Sequence, residues 1–169
     1  MTEYDRRGVW TVGYPIESTY LDLEIYRLVA IFGAAPLVAS TENFDWGWLK
    51  RHYEFPEACR LLVSLAAILR NQIDASPLSA EDGLAKHGAS VGTLVPDRSK
   101  PGKSKPLSFR DACSKILHAD FINPDVTDAE KPNESPLNPV VHLYGELLGK
   151  KWKASLNVYE FAQCAHAVA

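Results

Sequence analysis

Residues 57–74 read EACRLLVSLAAILRNQID, and the fold class turns on how this run is buried. From position 61 to 69 it is apolar nearly all the way round a helix, and Pro56 stands just ahead as a favourable first-turn residue. That pattern predicts a central helix enclosed by other elements. On its N-terminal side, Thr19 and Asp22 have the spacing of a helix start, and Leu21, Ile25, Leu28, Val29 and Phe32 recur every three or four residues until Gly33 and Pro36 interrupt them.

On the C-terminal side the composition changes. Residues 76–106 hold Gly83, Gly88, Gly92, Pro96, Pro101, Gly102 and Pro106 with few large apolar side chains, which predicts a long mobile connection. A further helix starts at Ser108 and Asp111, with Phe109, Ala112, Cys113, Ile116 and Leu117 as its core face, and a polar loop follows over residues 123–139. Residues 140–147 and 151–156 read as two strands around Gly149, with Lys151 and Lys153 on the face opposite Trp152 and Ala154. Asn157 and Glu160 then open a short last helix whose Val158, Phe161, Ala162 and Ala165 dock on the core. The expectation is a mainly α protein: one domain over residues 1–169, a helical bundle with a C-terminal β-hairpin and a short terminal helix.

Composition narrows the function. A net charge of −3 and a pI near 5.9 exclude a protein that coats nucleic acid by bulk charge, leaving only local basic patches. The first ten residues are polar and lack a signal-like apolar run, and the longest apolar stretches are too short for a bilayer. A cytoplasmic protein without a membrane anchor is expected. Cys59, Cys113 and Cys164 form no CxxC pair and read as free thiols. His87, His142 and His166 offer no metal-ligand spacing, so neither metal nor cofactor is expected. Gly102-Lys103-Ser104 resembles the end of a phosphate-binding loop, but Asp97 occupies the place of its first glycine.

Two features point to phosphate. Arg98, Lys100, Lys103 and Lys105 concentrate just ahead of Arg110 and Lys115, a local patch suited to nucleic acid or another polyanion, or to a solvated loop. In residues 109–120, FRDACSKILHAD, a core face centred on Phe109 turns Asp111, Ser114, Lys115 and His118 outward with Arg110 at the border. Histidine moves protons near neutral pH and arginine holds an anionic phosphate, so the stripe suits phosphoryl transfer. Its plainer reading is an Asp111–Lys115 ion pair with His118 at the helix end.

Arg110-Asp111 followed by His118 resembles the polar motif that ends a core helix in the HEPN superfamily, here with seven residues between arginine and histidine. The resemblance implies an all-helical homodimer that binds RNA, in many members as a metal-independent endoribonuclease of a toxin-antitoxin or phage-defence system. Arg110 would grip the scissile phosphate, His118 would act as general acid or base, and Asp111 would orient the pair. Lys115, Ser114, Lys103, Lys105 and Arg98 would contact the substrate. Arg70-Asn71 is a second string of this kind, read as a structural or substrate-side contact. The alternative is a catalytically inactive regulatory or protein-interaction subunit, with an antitoxin or complex subunit as partner.

Overall fold

The computed structural model describes residues 18–39, 46–75, 88–131 and 135–168. Helix α1 spans Ser18–Ala39; α2, Trp46–Leu49, runs through a π-helical turn at Lys50–Glu54 into α3, Phe55–Ala75. Strands β1, Ser90–Val95, and β2, Lys105–Ser108, lead into α4, Phe109–Leu117. They are followed by β3, Phe121–Val126, β4, Leu137–Leu147, β5, Lys150–Asn157, and the closing helix α5, Val158–Val168. Every strand pairing is antiparallel and the order across the sheet is β2-β1-β5-β4-β3.

This overturns the mainly α expectation: the chain is a mixed α/β protein, and the expected hairpin is the middle of a five-stranded sheet instead of an appendage to a bundle. Residues 90–95 and 105–106, expected in a connection, belong to strands, as do residues 123–126 and 137–139, expected in a loop; residues 76–87 of that connection lie outside the described residues. The prolines within these strands sit where the ladder does not need their missing N–H. Pro106 is on the edge strand β2 and Pro124 on the opposite edge strand β3. Pro139 precedes the first β4–β5 pair, Val140↔Asn157, beside a register shift between β3 and β4. Gly92, with φ +148°, sits in a second irregularity between β1 and β2, and a Cβ there would lie 2.0 Å from the Ser155 carbonyl oxygen.

The other helices follow their sequence signals closely. Ser108 Oγ accepts from the Asp111 amide (3.1 Å), and Asn157 Oδ1 accepts from the amides of Tyr159 (3.0 Å) and Glu160 (3.2 Å), so both expected caps are formed. Phe109, Ala112, Cys113 and Ile116 are buried, while Leu117, expected with them, is 38% exposed. Helix α1 continues through Gly33 and Pro36 instead of stopping there. Helix α3 buries Leu61, Leu62, Leu65, Ala66 and Leu69 against α1, α4 and α5, leaving Val63 exposed, so it lies above the helices that cover the sheet. The Glu24 carboxylate of α1, buried at that contact, accepts from Arg27 (2.8 Å) and from Arg60 of α3 (3.1 Å).

Two details orient the sheet's covered face. Gly145 of β4 stands opposite Trp152 of β5, and a Cβ at Gly145 would lie 2.3 Å from the indole and 2.9 Å from the His118 carbonyl oxygen. The buried indole therefore lies flat across β4. Helix α4 links β2 at one edge to β3 at the other, so it crosses the covered face and ends over this pair. The β4–β5 turn, Leu148-Gly149, has φ of +52° and +75°, the two-residue turn that matches strand twist. A leucine in that left-handed region is strained, and Leu148 is 94% exposed. Leu148→Asn should stabilise the fold by about 1 kcal/mol, raising Tm by about 2–4 °C in a thermal melt. Gly92→Ala should destabilise it by roughly 3 kcal/mol or more, because strained φ and backbone overlap act together.

Candidate nucleic-acid interface

The end of the sheet that carries the β4–β5 turn collects most of the cations singled out in the sequence. The Arg98 amide donates to the Lys151 carbonyl (2.8 Å), which lays the β1–β2 connection beside the start of β5. The Arg98 guanidinium stands 5.3 Å from the centre of the Tyr144 ring and the Lys153 ammonium 5.6 Å from it. Asp97, its carboxyl held below the usual range first by hydrogen bonds from Ser99, also feels the charges of Lys100 and Lys150. Lys103 is exposed on the same connection and Lys105 at the start of β2. Lys151 and Lys153 read from sequence only as a strand's outward face; the pairing of β1 with β5 makes them part of this surface, and Lys150 precedes them at the turn.

Helix α4 contributes Lys115. Its ammonium lies 4.1 Å from the centre of the Trp152 ring rather than in the expected ion pair with Asp111. Burial lowers its pKa first, and the charge of Lys105 adds to that while Asp111 opposes it. His118 caps α4, its amide donating to the Ser114 carbonyl (3.1 Å), and its side chain is exposed. Its carbonyl borders Gly145 and the Asp120 amide donates to the Tyr144 carbonyl (2.8 Å), so the histidine belongs to the turn end.

Arg110 does not. It starts α4 beside Ser108, which pairs with Ser90 at the far end of β1, and at 1.5 Å per residue it is about 12 Å along the axis from His118. Its guanidinium donates to Asp74 Oδ1 (2.7 Å); Arg70 donates to Asp74 Oδ2 (2.7 Å) and to Ser114 Oγ (2.7 Å). Of the expected site, Lys115 and His118 lie at the turn end on the covered face, Arg98 lies at that end over Tyr144 on the open face with Lys103 and Lys105 nearby in the chain, and Arg110 and Ser114 face α3. Asp111 is half-buried between them, its amide on the Ser108 cap. Arg70, singled out in sequence without a partner, is what ties Ser114 and Asp74 together.

A third group lies on the sheet's open face. His142 Nδ1 is 3.0 Å from Ser155 Oγ and its Nε2 3.5 Å from Asp125 Oδ1, whose other oxygen accepts from Asn138 (2.8 Å). The apolar groove between α1 and α2–α3, about 510 Å³ and lined by Ile31, Ala34, Val38, Leu49 and Tyr53, is separate from these groups. Burial pushes the Cys113 thiol up to about 12 and Cys59 to about 11, which leaves them unreactive. No helix among the described residues is long and apolar enough to cross a membrane. Fold and surface define a mixed α/β protein with helices on one face of an antiparallel sheet and a cationic end. Compared with protein-family models, curated proteins and solved structures, the chain matches none.

Hydrogen bonds from Arg70 and Arg110 hold the Asp74 carboxyl below its ordinary 3.8. The stability it contributes is therefore complete above that value and is lost as pH falls below it toward the folded value. Asp74→Asn should lower stability at neutral pH and flatten the acid limb below about pH 4, measured by urea denaturation across pH.

Proposed function

We propose that this protein binds RNA at the turn end of its sheet. The observation that carries the reading is the Arg98 to Lys151 backbone bond, which merges the cations of the β1–β2 connection with those of β5 around Tyr144 in a chain of net charge −3. Cations clustered on one surface of an acidic protein attract phosphate locally while the rest of the molecule repels it. That distribution suits a bounded RNA contact rather than a general coat. We assign the protein to the cytoplasm, where Cys59, Cys113 and Cys164 stay as thiols.

The affinity should depend on salt. The double variant Arg98→Ala/Lys153→Ala should weaken binding of a single-stranded RNA by roughly tenfold or more. The slope of log affinity against log salt should fall by about 1.4, since each phosphate contact on a single strand contributes about 0.7. Fluorescence anisotropy from low to moderate salt measures both, and an unchanged slope would remove the reading.

In its enzymatic form the proposal makes His118 the proton-transfer group of a metal-independent endoribonuclease. Arg110 would reach the same phosphate after release from Asp74 or from a second copy of the chain. The arginine's engagement by Asp74 favours the second reading, a catalytically inactive regulatory or interaction subunit. A fluorogenic RNA assayed in EDTA separates them. Loss of cleavage in His118→Ala and Arg110→Ala, with RNA binding retained, supports the nuclease; no cleavage by the wild type, or cleavage that both variants retain in full, shows that these residues do not cut RNA and supports the inactive subunit.

A further inference from the structure

On the open face of the sheet, Phe121 of β3 stands directly opposite Tyr144 of β4, and Tyr144 directly opposite Lys153 of β5. Residues paired in this way share a face, so the three form one row across the sheet. Phe121 is 68% exposed on an edge strand. Tyr144 holds the Arg98 guanidinium and the Lys153 ammonium near its ring. The next row, Asn123, His142 and Ser155, is polar, so the exposed ring lies between hydrogen-bonding groups and fixed cations rather than within an apolar patch.

We infer that this row is a base-stacking platform and that the RNA it takes is single-stranded. The inference rests on the RNA-binding reading and names its substrate class. An exposed aromatic ring can stack only on a base whose face is free, and duplex bases hide their faces against each other. A base lies on Phe121, and the adjoining phosphates lie against Arg98 and Lys153, which the Tyr144 ring holds over the sheet. Asn123, in the row beside Phe121, faces the sugar and base edges. Charge alone would draw duplex and single strand alike; the ring beside the cations makes the distinction.

The test compares a short uridine-rich single strand with an RNA hairpin duplex at one salt concentration, by fluorescence anisotropy on the full chain. The wild type should bind the single strand more tightly. Phe121→Ala should weaken single-strand binding by roughly 5- to 100-fold, as loss of one stacked base does, without changing the salt slope. Phe121→Trp should retain it, which separates stacking from misfolding. Equal affinity of the Phe121→Ala variant, or equal wild-type affinity for the duplex, overturns the platform while leaving RNA binding intact. Absence of binding to either RNA ends both readings. Light scattering adds one more outcome: if Phe121→Ala dissolves a dimer and leaves RNA affinity unchanged, the face is a contact between copies and the platform is excluded.

Discussion

The arrangement depends on one cross-strand contact, the indole of Trp152 lying across Gly145. No side chain other than hydrogen fits at Gly145, because a Cβ would overlap the ring and crowd the His118 carbonyl. The pair thins β4 at one point, and the end of α4 settles there. Lys115 then closes over the ring, and the chain after His118 passes into β3 beside β4. Burying an indole of about 150–250 Å² is a large contribution to a core of this size.

Charge is sorted by the same crossing. The start of α4 reaches α3, where Asp74 takes both Arg70 and Arg110 and leaves their charge locally neutralised. The other end lies at the turn end of the sheet, where the acids among the described residues are Asp97, drawn into its own turn by Ser99, Glu146, opposite Lys151, and the exposed Asp120. An acidic chain thereby presents a basic end. The cations are positioned by backbone pairing and by the Tyr144 ring rather than by opposite charges, which leaves them accessible to an incoming phosphate.

Much of the local structure was legible in the residues. Both cap residues, Ser108 and Asn157, act over two or three positions, and the buried faces of α4 and α5 follow from spacing, with Leu117 the one position that spacing misplaced. The alternation that puts Trp152 and Ala154 on one side and Lys151 and Lys153 on the other is equally local. The three strands that were missed are short and carry Gly92, Pro106 or Pro124. The signal of β2 and β3 is weak because an edge position tolerates a proline that an interior strand would not, and the sequence does not say which strands are edges; in β1 it is Gly92, at a register irregularity, that weakens it.

Determined by sequence, then, were the elements whose stabilising contacts lie within one turn or one pleat: the capped helices, the amphipathic faces and the β4–β5 turn. Tertiary structure alone decided which elements are neighbours. It set β1 beside β5, carried α4 from one edge of the sheet to the other, and so parted Arg110 from His118 while joining Arg98 to Lys153 around Tyr144. The physical reason is range. Caps and side-chain periodicity act over three or four residues, whereas strand pairing and helix docking join residues about 60 positions apart through burial, which is non-directional and leaves no periodic trace in the chain.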